Sequence, residues 1–93
     1  MRKLLFFHAS WCGPCKFYDR EFIRPLEDRV GDGHIQRIDT WRDPYKAERY
    51  LVDKLPTVVL LDHTGAVKAS RRGAIDVDRV AAWLKGETDE YQN

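Results

Sequence analysis

The chain is poor in the features that mark secreted mini-proteins, membrane proteins and general nucleic-acid binders. Its 93 residues include only two cysteines. Sixteen basic and fifteen acidic residues give a formal net charge of +1. Such a balance does not favour nucleic-acid binding. The longest apolar run near the start, Leu4 to Phe7, is too short for a signal peptide or a membrane span. With Met1 as the first residue, we expect a cytoplasmic protein without membrane or nucleic-acid partners.

Apolar residues are sufficient for one small core. Hydrophobic residues make up 43% of the chain and aromatic residues 12%. This content can form one core without stabilisation by metal ions or several disulfides. We therefore predict a single domain over residues 1–93, with a polar, frayed tail over about 86–93.

The two cysteines, Cys12 and Cys15, lie three positions apart. A disulfide that closes so short a loop removes little entropy from the unfolded chain, and a reducing cytosol would oppose it. The spacing therefore favours a chemical role for the pair over a stabilising one.

The first third of the chain predicts a strand followed by a long helix. A continuous apolar run indicates a buried strand over Lys3 to Ala9. The helix runs from about Cys12 to Val30, because apolar residues recur there at spacings of three and four. These residues are Cys15, Tyr18, Phe22, Leu26 and Val30. Pro25 lies inside this helix and predicts a kink, since it removes a donor and clashes with the preceding turn.

The remaining elements are shorter and have clear boundaries. We predict a strand at 34–39, a helix at 44–52, a strand at 57–61, a strand at 66–71 and a last helix from Asp76. Asp43 and Pro44 are typical of a helix start, and Asp62 to Gly65 of a tight turn. The order is β-α-β-α-β-β-α, which predicts an α/β fold. Its mixed four-stranded sheet has a parallel first pair, a final hairpin, and helices on both faces.

The predicted junction between the first strand and the first helix suits a reactive cysteine. The thiolate is the reactive form, and unpaired N–H groups at a helix start favour an anion on Cys12. Cys15 reaches Cys12 from the first helical turn, which Pro14 stiffens, while Trp11 shields one side. These residues predict thiol–disulfide exchange, in which Cys12 attacks a substrate disulfide and Cys15 releases the product.

The segment WCGPCK at Trp11–Lys16 matches the active-site signature of thioredoxins, and the chain resembles that family from Lys3 to about Lys85. Leu55-Pro56-Thr57 resembles the family's segment with a cis-proline facing the dithiol. The stretch through Gly65 to Gly73-Ala74 resembles the rest of its C-terminal half. The resemblance implies a thioredoxin-like fold and a protein disulfide reductase.

The resemblance also implies a role for each matched residue. Cys12 is then the catalytic nucleophile and Cys15 the resolving thiol. The supporting residues are Trp11, Gly13, Pro14 and Pro56, the last with a cis bond opposite the dithiol. The backbone of Leu55 pairs with an extended substrate, and Gly73 and Ala74 leave a shallow surface for it. The family further implies a monomer with no bound cofactor, disulfide-containing protein substrates, and an external electron donor such as a thioredoxin reductase.

Several positions depart from the family pattern. Only Met1 and Arg2 precede the first strand, so we expect the family's extra N-terminal strand and helix to be lacking. Phe6 stands where thioredoxins bury an aspartate that moves the proton of the resolving cysteine, and Ile35 replaces its usual lysine partner. Either water or another group must take over, and His8 is the nearest candidate, because an imidazole titrates near neutrality.

Two alternatives to the reductase remain open. A glutathione-dependent, glutaredoxin-like enzyme fits the short chain and Gly73 to Asp76, but not Trp11 and the Gly13-Pro14 pair. A docking module would make the dithiol incidental. We expect no metal site, because zinc would need two further ligands and the three histidines are scattered along the chain.

Other side chains are given a structural interpretation. Lys16, Lys54, Arg71 and Arg72 are either a basic rim around the active site or a solvated charged face. Trp41, Tyr45 and Trp83 are interpreted as core or half-buried packing residues.

Overall fold

The computed structural model describes residues 1–90 and contains every element that the sequence predicts. The strands are β1 (Lys3–His8), β2 (Ile35–Asp39), β3 (Thr57–Leu61) and β4 (Val67–Arg71). The helices are α1 (Gly13–Tyr18), α2 (Arg24–Val30), α3 (Pro44–Arg49) and α4 (Val77–Leu84). A π-helical turn, Asp19–Ile23, joins α1 to α2, and a 3-10 turn, Asp32–His34, precedes β2.

The four strands form one mixed sheet in the order β2-β1-β3-β4. Strand β1 is parallel to β2 and antiparallel to β3, and β3 and β4 form an antiparallel pair. This is the predicted architecture. The central strands β1 and β3 carry continuous apolar runs because both of their faces are covered.

Successive side chains of β1 pack into two separate cores. Leu4 and Phe6 lie in the larger core, together with side chains of α1, α2 and α4. Leu5 and Phe7 lie in the smaller core on the opposite face, against Ala47 of α3 and its neighbours. Helices therefore cover both faces of the sheet, as the sequence predicts.

The long helix is continuous from Gly13 to Val30, but its hydrogen bonding changes in the middle. The N–H of Arg24 donates to the carbonyl of Asp19, five residues earlier. Pro25 has no N–H and its ring clashes with the carbonyl of a regular turn, whereas a wider turn leaves room for it. The irregularity predicted at Pro25 thus takes the form of a π-helical turn immediately before it.

Two element boundaries differ from the predicted ones. His34 belongs to the 3-10 turn rather than to β2. Helix α3 ends at Arg49 and not at Val52, because Leu51 adopts a left-handed conformation with φ 57°. The N–H of Val52 then donates to the carbonyl of Ala47 at 2.8 Å, a helix-terminating pattern that usually places glycine at the left-handed position.

The structure corrects the interpretation of two aromatic residues. Trp83 is buried, with 1% of its surface exposed, but Trp41 and Tyr45 are 80% and 81% exposed. Trp41 lies in the turn after β2, and Tyr45 lies in the first turn of α3, away from the residues that this helix packs on the sheet. Trp41 stands alone in a turn, and Tyr45 begins a short helix without a buried residue. Neither belongs to a periodic apolar pattern, so the sequence does not show whether these two side chains are buried.

The end of the described chain contacts its beginning. The Arg2 guanidinium donates to the carbonyl oxygens of Trp83 and Thr88 at 2.8 and 2.6 Å and pairs with Asp89. Fraying of the tail stays a prediction, and its last residues, 91–93, lie outside the described part. Within residues 1–90, the helices are all too short or too polar to cross a lipid bilayer.

Leu51→Gly is expected to stabilise the protein by about 0.5–1 kcal/mol. A left-handed conformation costs a non-glycine residue about 1–2 kcal/mol, and the greater flexibility of unfolded glycine offsets only part of that gain. The Leu51 side chain is 88% exposed, so little packing is lost. Denaturant unfolding of Leu51→Gly and the matched control Leu51→Ala measures this. Equal stabilisation by both variants would contradict the backbone explanation.

Candidate active site

Cys12 and Cys15 form a disulfide where the chain turns from β1 into α1. Cys12 is the N-cap of α1, with an extended backbone, and Gly13 and Pro14 occupy the next two positions. Cys15 lies in the first turn, 5.3 Å away between Cα atoms. Its backbone N–H donates to Cys12 Sγ at 3.2 Å. The sulfur of Cys12 thus takes the place of the oxygen with which Ser or Asp usually caps a helix, and this contact favours a thiolate there.

The two cysteines line different cavities. Cys12 lines an open groove of about 440 Å³, which we call the dithiol groove, whereas Cys15 lines a smaller rear cavity of about 110 Å³. Both are nearly buried, with 5% and 3% of their surface exposed. A partner that enters the dithiol groove therefore meets Cys12 first.

The dithiol groove brings several predicted residues together. Its lining includes Trp11, Cys12, Gly13, Pro14 and Leu55. Trp11 stands at its rim with 71% of its surface exposed. These residues come from the β1–α1 junction and from the segment before β3.

A second groove, of about 340 Å³, holds the remaining predicted residues, and we call it the proline groove. It is lined by Lys54, Leu55, Pro56, Arg72 and Gly73. The Leu55–Pro56 peptide bond is cis. Both grooves include Lys54 and Leu55, so the two form one continuous surface.

Gly73 and Ala74, predicted together, have different positions. The Tyr18 hydroxyl donates to the Gly73 carbonyl at 2.9 Å, which ties the proline groove to α1. Ala74 lines neither groove, and its carbonyl oxygen faces the Arg71 guanidinium at 3.4 Å.

The sequence did not single out four residues that line the dithiol groove. They are Thr40, Ala47, Val52 and Asp53. Thr40 could have been found, because it directly follows β2, and the carboxyl ends of neighbouring parallel strands meet at one edge of a sheet. Its hydroxyl and its N–H both donate to the carbonyl of His8, at 3.1 and 2.9 Å.

The rear cavity shows what occupies the place of the usual buried aspartate. Phe6 is buried, and its ring stacks on His8 at 5.4 Å and on Tyr18 at 5.8 Å between centroids. His8 is half-buried and lines the cavity together with Cys15. The structure therefore places His8, the predicted proton-handling candidate, in the same cavity as Cys15.

Asp19 is a further titratable group of the rear cavity that sequence reasoning missed. Its carboxylate accepts two hydrogen bonds from Arg37, at 2.9 and 3.1 Å. Arg37 also donates to Glu27 at 2.9 Å. The hydrogen bonds that Arg37 donates to Asp19 in particular raise the pKa of Arg37 above its ordinary value. The sequence spacing could have predicted this position, because Asp19 follows Cys15 by four residues and so shares its helix face.

The four predicted rim cations do not form one group. Lys54 and Arg72 lie together in the proline groove, whereas Lys16 lines the rear cavity and Arg71 contacts Ala74. As for metal ligands, residues 1–90 contain no cluster of three or more His, Cys, Asp or Glu side chains.

The family model for thioredoxin matches residues 2–86. Thioredoxin H2-2 of Oryza sativa subsp. japonica is 30% identical over 87 residues, which are 94% of this chain and 57% of that protein. The chloroplastic thioredoxin Y1 of Arabidopsis thaliana is 35% identical over 60 residues, 61% of this chain and 33% of that protein. The chain thus spans between a third and three-fifths of these relatives' length.

A solved structure has the same architecture. The germline-specific thioredoxin Deadhead of Drosophila melanogaster superposes with a TM-score of 0.73 at 28% identity, over 94% of this chain and 81% of that one.

We expect His8→Phe to raise the pKa of the reduced dithiol. As the predicted acceptor, neutral His8 takes up the thiol proton, and the imidazolium that forms stabilises the thiolate. Phenylalanine keeps the stacking on Phe6 but has no basic nitrogen. Thiolate absorbance of the reduced protein, followed against pH, measures the change. His63→Phe is the matched control, since His63 is exposed in the β3–β4 turn. An unchanged pKa in His8→Phe would remove His8 from the reaction.

Proposed function

The chain belongs to the thioredoxin family, and we propose that it is a thiol–disulfide oxidoreductase that reduces disulfide bonds in other proteins. The observation that carries this proposal is the Cys12–Cys15 disulfide at the start of α1. One cysteine lines an open groove, and the other lines the cavity behind it.

The reaction starts from the reduced dithiol. The Cys12 thiolate, which the Cys15 N–H stabilises, attacks one sulfur of a substrate disulfide. A bond forms between Cys12 Sγ and that sulfur, the substrate S–S bond breaks, and the other substrate sulfur leaves as a thiolate. Cys12 takes this role because it is the cysteine that lines the groove.

The second step releases the substrate. The Cys15 thiol loses its proton within the rear cavity, where His8 is the proposed acceptor. Its thiolate attacks Cys12 Sγ, the mixed disulfide breaks, and the second substrate sulfur leaves as a thiolate. Two electrons have then passed to the substrate, and the protein holds the Cys12–Cys15 disulfide that the structure describes.

Substrate binding follows from the surface around Cys12. Leu55 lies between the dithiol and the proline groove, so its backbone can pair with an extended substrate segment. Pro56 and Gly73 extend this surface on the far side. We propose that Trp11 covers the near side of the bound segment.

An external electron donor must restore the reduced state, because each turnover takes two electrons from the Cys12–Cys15 dithiol. We propose a thioredoxin reductase as the donor, and no cofactor bound to this chain. The matched family model and the relatives named above are thioredoxins, which does not favour the glutathione-dependent alternative or an incidental dithiol. A reducing compartment such as the cytosol suits this cycle.

Single serine variants of the two cysteines are expected to differ. Cys15→Ser should accumulate a mixed disulfide with an insulin substrate, because the first step proceeds and the second cannot. Cys12→Ser should form none and should lose the reduction of insulin disulfides. Non-reducing electrophoresis and insulin turbidity measure both. The proposed roles would be contradicted if both single variants trapped the mixed disulfide equally. They would also be contradicted if a variant with both Cys12→Ser and Cys15→Ser still reduced insulin disulfides.

The electron donor is tested by turnover of the full chain with substrate and one reducing system at a time. We expect reduction with NADPH and a thioredoxin reductase, and little with glutathione and glutathione reductase. The reverse result would reassign the protein to the glutathione-dependent class. A redox titration of the dithiol completes the test, since an oxidising potential would point to disulfide formation or isomerisation instead.

A further inference from the structure

The proline groove is bordered by two positive charges. Lys54 directly precedes the Leu55–Pro56 pair, and Arg72 directly follows β4. Both residues are exposed. Ion pairs link seven other basic residues to carboxylates, whereas no carboxylate of residues 1–90 pairs with Lys54 or Arg72. The two cations are therefore available to a ligand.

Charge is distributed unevenly between the two grooves. Asp53 lines the dithiol groove, where it accompanies Lys54, but it does not line the proline groove. The other lining residues of the proline groove are Leu55, Pro56 and Gly73, which carry no side-chain charge. The surface thus changes from nearly balanced beside Cys12 to positive beside Gly73.

A bound substrate segment that extends from Cys12 past Leu55 crosses this boundary. The two grooves share Lys54 and Leu55, so a segment whose sulfur reaches Cys12 and which continues past Leu55 lies over Lys54 and Arg72. A carboxylate on that part of the segment would meet an ammonium and a guanidinium together. Arginine also offers a planar pair of N–H donors that matches a carboxylate.

We propose that Lys54 and Arg72 form a specificity site for an Asp or Glu side chain that flanks the target disulfide in the substrate. This inference rests on the proposed disulfide reductase activity and adds a substrate class to it. The site acts on the flank that extends from Cys12 over the proline groove. It distinguishes acidic segments from neutral and basic ones rather than one protein fold from another.

The expected preference is moderate and depends on salt. Exposed ion pairs contribute little individually and are screened by salt. Two cations that meet one carboxylate should give about a three- to tenfold faster reaction at low ionic strength. The difference should fall as salt is added.

Matched peptide disulfides test the proposal. Peptides of one sequence carry Glu, Gln or Lys on one side of the disulfide cysteine, and a second set carries them on the other side. The pre-reduced full chain reacts with each under single-turnover conditions, so that no electron donor is needed. We expect Glu to react faster than Gln, and Gln faster than Lys, in one of the two placements.

Variants of the two cations identify the origin of the preference. Lys54→Gln with Arg72→Gln should bring the Glu-to-Lys rate ratio to about one, and Lys54→Glu with Arg72→Glu should invert it. The ratio is the readout, since a general loss of binding cancels in it. Lys68→Gln is the matched control, because Lys68 is exposed on β4 outside both grooves and its loss should leave rates and ratio unchanged.

The outcomes separate this inference from the proposed function. If the reduced protein reacts with none of the peptides, the reductase function itself fails. If it reduces all of them at equal rates in both placements, or if the preference persists after both cations are replaced, the specificity site fails and the reductase function stands.

Discussion

Strand β1 is buried on both faces, and this burial fixes where the reactive pair lies. Its residues alternate between the two cores, so a shift of register by one residue would exchange their contents. Hydrogen bonds to β2 on one side and β3 on the other hold the register. The strand ends at His8, opposite Asp39 of β2. Cys12 therefore caps α1 at the carboxyl edge of a parallel pair, where the groove is open.

Helix α1 then separates two environments for the cysteines. Its first turn places Cys12 at the dithiol groove and Cys15 at the rear cavity. On the side of β1 the cavity is lined by Phe6 and His8, whose rings stack on each other, and Phe6 also stacks on Tyr18 of α1. An aromatic stack thus replaces the carboxylate that other thioredoxins bury on this strand. The carboxylate that lines the cavity is Asp19, in the π-helical turn after α1, and Arg37 compensates its charge.

The surface on the other side of α1 is organised by segments distant in the sequence. The Tyr18 hydroxyl holds Gly73, and Leu55 lies between the two grooves. The dithiol and both grooves thus lie where α1 meets the segments before β3 and after β4. The charges differ along this surface, because Asp53 lies on one side of Leu55 and Arg72 on the other.

The sequence by itself determined the element order, the mixed sheet and the reactive pair. Each depends on local information: apolar runs, helix caps such as Asp43 and Asp76, and the two-residue spacing between the cysteines. The resemblance to thioredoxins added the cis bond at Pro56, which the structure also has.

Only the tertiary structure decided which side chains share a space. Cys15 shares its cavity with His8 and Asp19, Lys54 and Arg72 line one groove, and Trp41 is exposed. These arrangements depend on how segments distant in the sequence are brought together. The same holds for the early end of α3, since a left-handed leucine at position 51 runs against local preference. Packing between elements determines these arrangements, and local sequence patterns do not predict such long-range packing.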